Sequence, residues 1–160
     1  YVNILTPYPM PTLTTEPICK YITYEEATKS QTGVRLNIDN TPDAKALENM
    51  QFIGRLIFDR VREHFGRPIG VSSFYRSKDL NAAVGGSLTS QHTTGEAIDI
   101  DGDIFGGVTN MEIFKYIKEN FTFDQLIHEY GTPSNPAWVH VSLKKYGINR
   151  QQVLKIGVKK

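Results

Sequence analysis

Two short β-prone runs each set one polar side chain between aliphatic neighbours: Asp99 between Ile98 and Ile100, and His140 between Val139 and Val141. Side chains alternate along a strand, so each polar group points to the face opposite its neighbours. An acid or imidazole held this way is costly unless it is exposed, paired or bound to a cation. A third group precedes them. His92 stands three residues before Gly95, which is free to turn with positive φ. A turn there brings His92 back beside the strand bearing Asp99. Two imidazoles and one carboxylate suit zinc, and a catalytic zinc keeps a fourth position open. By spacing alone, packed and hydrogen-bonded histidines satisfy the same pattern.

The surrounding periodicity predicts an α+β fold, with helices packed on one face of a mostly antiparallel sheet. Thr23 and Glu26 have capping-box spacing before a short helix. Thr41 is expected to cap a long helix, with Pro42 in its first position and Asp43 at the positive end of its dipole. Ala46, Leu47, Met50, Ile53, Ile57 and Val61 then recur at helical spacing until Gly66 and Pro68. Strands are expected over 69–75, 96–100, 123–129 and 138–142. A short helix falls over 77–83, and another over 111–119 with Thr109 or Asn110 as its cap. The last two strands, joined by a loop with Gly and Pro, read as an antiparallel pair. Residues 1–22 read as an extended arm, since residues 1–20 hold four of the eight prolines, and residues 23–160 as one domain.

Composition narrows the function classes. The chain has 160 residues with 18 basic and 17 acidic side chains, net charge +1. That balance gives no reason to expect nucleic acid as partner. The basic end, 155–160, reads as a solvated tail. No apolar run reaches the length a membrane helix needs, and a monomer is expected. Cys19 is the single cysteine, so no internal disulfide forms, and no histidine lies near it in sequence to activate it.

A wider set of residues carries a family resemblance. Ser73-Phe74-Tyr75-Arg76-Ser77, Asn81, Val84-Gly85-Gly86-Ser87, the motif from Ser90 through His92, Gly95 and Ala97 to Asp99, Phe123-Asp124-Gln125-Leu126-Ile127, and Trp138-Val139-His140-Val141-Ser142 occur in that order. Together they resemble the M15 family of zinc peptidases, over roughly residues 23–155. The likeness is nearest to D-Ala-D-Ala carboxypeptidase-like domains and phage endolysin peptidases, whose fold the hedgehog signalling domain shares. The resemblance implies one Zn2+ held by His92, Asp99 and His140, and hydrolysis of peptidoglycan stem peptides or cross-links at the bacterial cell wall, by a phage-encoded or exported protein. It implies that Arg76 contacts a substrate carbonyl or carboxylate; the plain alternative is an ion pair with Asp79 or Glu96. Ser90 matches a position that contacts substrate or orients the ligands, or it is a turn hydroxyl. Trp138 shares a face with His140 and either walls the cleft or packs beneath the metal.

The general base is the point of departure. Several relatives carry an acid three residues before the last zinc histidine, and here that position is Ala137. Glu129, at the end of the preceding strand, is the expected base, with His128 facing the other way. Asp101 and Asp103 read as supporting or loop acids, since Asp101 as a fourth ligand would close the open site. The missing acid at Ala137 also leaves a second reading: a catalytically silent zinc domain acting as a binding or virion component.

Overall fold

The computed structural model describes residues 16–159. Short helices α1 (Tyr24–Thr28) and α2 (Gln31–Leu36) precede a rod formed by α3 (Ala44–Ile53), a π-helical turn (Gly54–Phe58) and α4 (Asp59–Phe65). Then come β1 (Gly70–Ser73), α5 (Lys78–Ala83), a 3-10 turn (Gln91–Thr94), β2 (Ala97–Asp101), α6 (Asn110–Asn120), β3 (Gln125–Glu129), β4 (Trp138–Ser142) and β5 (Gln152–Ile156). The fold is α+β. Its five strands run in the order β1-β2-β4-β3-β5, antiparallel except for the β3–β5 pair.

Alternation of side chains along the strands divides the sheet into two faces. Ile98, Ile100, Val139, Val141 and Leu126 point to one side and join Met50, Ile53, Ile57 and Val61 of the rod and Ile113 and Ile117 of α6 in one core. Each of these buried aliphatic side chains contributes roughly 1.5–3 kcal/mol by leaving water. His128 belongs to this side. It is fully buried, its ring meets Phe114 edge-on, and its Nε2 lies 2.8 Å from the Thr132 carbonyl oxygen. Asp99, His140, Trp138, Ile127 and Glu129 share the opposite face by register, with Asp99 directly across from His140 and Glu129 across from Trp138.

Several boundaries differ from expectation. The ordered chain begins before Thr23: Ile18, Cys19 and Ile22 are core residues, because Gly54 in the π turn lets the rod lie against Cys19. A Cβ at Gly54 would sit 3.0 Å from the Cys19 sulfur. The remainder of the expected arm, residues 1–15, lies outside the described residues. The rod is capped by Asp43, not Thr41; the Asp43 carboxylate accepts from the Ala46 amide at 2.7 Å. A carboxylate is the stronger acceptor for the helix N-terminal amides, and Pro42 stands outside the helix. The expected tail begins instead as strand β5, parallel to β3. Its residues are mostly exposed, so neither side chain alternation nor hydropathy marked it, and Lys155 on this outer strand discourages edge pairing. Helix α2, with Gly33 inside it and Val34 and Leu36 exposed, also lacked a periodic signal.

Candidate metal centre and cleft

His92, Asp99 and His140 converge. Their ligand-type atoms all lie within 4.8 Å of one another, and all three residues are buried. Strand pairing delivers two of them, since β2 and β4 put Asp99 and His140 side by side, with His140 Nδ1 2.9 Å from Asp99 Oδ1. The third arrives on the 3-10 turn. Gly95 ends that turn at φ 74°, where a side chain is strained, and a Cβ there would sit 2.3 Å from the Ala46 carbonyl oxygen. Asn49 of α3 holds the turn through the Thr94 carbonyl at 2.9 Å. Gln91 reaches back to Asp124 at 3.0 Å.

The donor chemistry fits a cation. His92 Nδ1 lies 2.6 Å from the Phe74 carbonyl oxygen. A carbonyl only accepts, so Nδ1 carries the proton and donates. In the neutral ring Nε2 then bears a lone pair, buried without a hydrogen-bond partner and 3.2 Å from Asp99 Oδ1. Two acceptors facing each other in a buried site repel, and a metal ion at the common point satisfies both. Tetrahedral zinc with bonds of about 2.0–2.1 Å spaces its donors roughly 3.4 Å apart, close to the 2.9 and 3.2 Å found here. Burial opposes charge on Asp99, yet its carboxyl lies well below the usual carboxylate range when protonated His92 and His140 rings face it; with the rings neutral, a cation at the common point supplies that positive charge. The ligand stays anionic.

These groups floor a cleft of about 610 Å³ whose walls include Arg76, Ser90, Glu129 and Trp138. Glu129 is half-buried. Burial, reinforced by the negative charge of Asp99, pushes its carboxyl above the ordinary value. Trp138 donates its indole N–H to Glu129 Oε2 at 2.5 Å and stands in the cleft wall. Arg76 makes no ion pair with Asp79 or Glu96 among the described residues; its Nε is buried and unpartnered. The Ser90 side chain does not cap the 3-10 turn. Asp101 and Asp103 turn away to Asn110, which also ties down the Pro136 and Ala137 carbonyls. Buried Cys19 has its thiol pushed up to about 12 by burial and by Asp59, so it is inert.

Sequence reasoning passed over three contributors. Asp124 is fully buried behind Gln91 and gathers Arg150 and Lys144; the sequence placed it in the motif at 123–127 but marked no role for it. Tyr130 holds φ 52° and packs on Trp138 with ring centroids 5.2 Å apart. The Phe74 carbonyl that orients His92 is backbone and leaves no trace in residue types.

A buried imidazole–carboxylate–imidazole set opening on a cleft with a raised-pKa acid is the apparatus of a metal-dependent hydrolase. Residues 20–142 match the Peptidase M15 family. The chain belongs to that family and is a metallopeptidase. Among curated proteins, none matches this chain closely enough to serve as a relative.

Proposed function

We propose that this protein uses one zinc ion to hydrolyse peptide bonds in bacterial peptidoglycan stem peptides or cross-links. The observation that carries the reading is the convergence of His92, Asp99 and His140 on one point in a cleft that also holds Glu129 and Arg76. Bound zinc supplies Lewis acidity, acidifying a water and polarising a carbonyl. The chain's own residues do the rest. Glu129 Oε2 is held by Trp138, which leaves Oε1 to take the proton of the attacking water and return it to the leaving amine. Its partial burial in the cleft leaves the carboxylate poorly hydrated, which favours proton uptake. Arg76 offers a planar fork of donors to a substrate carbonyl or carboxylate, and Ser90 and Trp138 line the substrate's path. The reading takes the protein as a monomer acting on wall peptides, with no nucleic-acid partner. No helix among the described residues is long and apolar enough to cross a membrane.

The test is incubation of zinc-loaded protein with purified peptidoglycan, read by mass spectrometry for new peptide ends. Release that stops on chelation and returns with zinc is expected. His92→Ala and His140→Ala should each lose bound zinc, counted by elemental analysis, along with activity. Peptidoglycan left intact by folded, zinc-loaded protein would instead favour the silent binding-domain reading that Ala137 raises.

A further inference from the structure

The ligand triad has a cavity on each side of it. Its strands β2 and β4 are second and third in the sheet order. On one side the cleft runs across Ile127 and Glu129 of β3 to Leu154 and Ile156 of β5. On the other, a chamber of about 470 Å³ runs over Val71–Ser73 of β1 and beside Lys29 and Gln31. Both spaces have Arg76, Val84 and Asp99 in their walls, so they adjoin beside the ligand site. Each alone falls in the range of about 300–1,000 Å³ that houses a whole ligand.

An enzyme that trims a terminal residue needs a stop beyond the scissile bond, with a cation to receive the terminal carboxylate. Arg76 is the one arginine lining both spaces. It forms part of the wall the two spaces share, with its Nε buried and unpaired, and the β1-side chamber lies on its far side. Its fork of donors serves a backbone carbonyl as well as a carboxylate.

We propose that the protein is an endopeptidase: the substrate chain passes across the sheet, with residues bound on both sides of the triad. This rests on the peptidase reading above. The β5 side offers Trp138, Leu154 and Ile156 to apolar parts; the β1 side, past Arg76, offers polar contacts from Lys29 and Gln31. In the step itself the water oxygen bonds to an internal carbonyl carbon, the C–N bond breaks, and the nitrogen leaves with the proton.

The experiment uses the stem pentapeptide L-Ala-γ-D-Glu-L-Lys-D-Ala-D-Ala as free acid and as C-terminal amide, together with a cross-linked dimeric muropeptide. Internal cleavage is expected, with amidation changing kcat/KM by less than about threefold. Release of terminal D-Ala from the free acid only, with a loss above about a hundredfold on amidation, would overturn the endopeptidase assignment while leaving the peptidase reading intact. No cleavage of any probe by folded, zinc-loaded protein overturns both. Binding supplies a readout independent of turnover. Adding the dimer to zinc-loaded Glu129→Gln should shift backbone amide resonances at Lys29–Thr32 as well as at Ile156; shifts confined to the β5 side count against the proposal. Gln31→Trp, which fills the chamber from its exposed rim, should lower kcat/KM for the dimer about tenfold with zinc content and Tm unchanged.

Discussion

Glu129, the proposed base, is set apart from other acids by its environment more than by residue type. Its carboxyl is pushed up by burial and by the charge of Asp99, while the Trp138 N–H fixes one oxygen. Glu129→Gln keeps the shape and removes the proton acceptor. It should retain one zinc per chain and lower kcat on peptidoglycan peptides by about a hundredfold or more; an unaltered rate would move the role elsewhere. Asp124 shows the opposite shift. The Arg150 guanidinium, despite the burial that opposes charge, holds its carboxyl well below the usual range, helped by Gln91 and Lys144. A depressed carboxyl adds stability above its unfolded pKa of about 3.9 and gives it up as pH falls below that toward the folded value. Asp124→Asn should therefore cost about 1–2 kcal/mol at neutral pH and flatten the fall of Tm with acid below about pH 4, measured by calorimetry across pH.

The elements that carry the site are short, and their placement depends on close approaches. The 3-10 turn bearing His92 sits against α3 because Gly95 has no side chain to meet the Ala46 carbonyl. Gly95→Ala should destabilise the fold by about 3 kcal/mol, from left-handed strain and from overpacking against an immovable backbone. A denaturant midpoint equal to that of the parent protein would show that the turn moves freely. The β2–β4 pairing is more robust. Its ladder is antiparallel and regular from Ala97 to Ile100, and a one-residue slip would turn Asp99 into the core and Ile98 into the cleft. Register and metal geometry are thus specified by the same burial pattern.

Across the whole molecule, the ligands tie together segments far apart in the chain, from the turn at His92 to β4 at His140. A cation bound there stabilises only the folded state. Zinc at about a thousand times its Kd adds roughly 4 kcal/mol, which for a domain of this length raises Tm by about 10 °C. Differential scanning calorimetry with zinc and with chelator checks this; equal transitions would argue that the triad binds no ion. Much of this arrangement was legible beforehand. The capping box at Thr23, a helix cap at Thr109 or Asn110, of which Thr109 is the one found, the rod ending at Gly66, the hairpin of β3 and β4 and the α+β class follow from local rules. Helix α2 and strand β5 did not show, because neither has an amphipathic period to read.

Residue order alone settles which faces of β2 and β4 are apolar, where the chain turns at Gly95, and which side chains are able to hold a cation, since periodicity and donor chemistry are local properties. The distances among His92, Asp99 and His140, the pairing of Glu129 with Trp138, the unpartnered Arg76 Nε and the two cavities that adjoin at Asp99 belong to the tertiary structure. They depend on strand order and on close packing between distant segments, and no local pattern encodes which segments become neighbours.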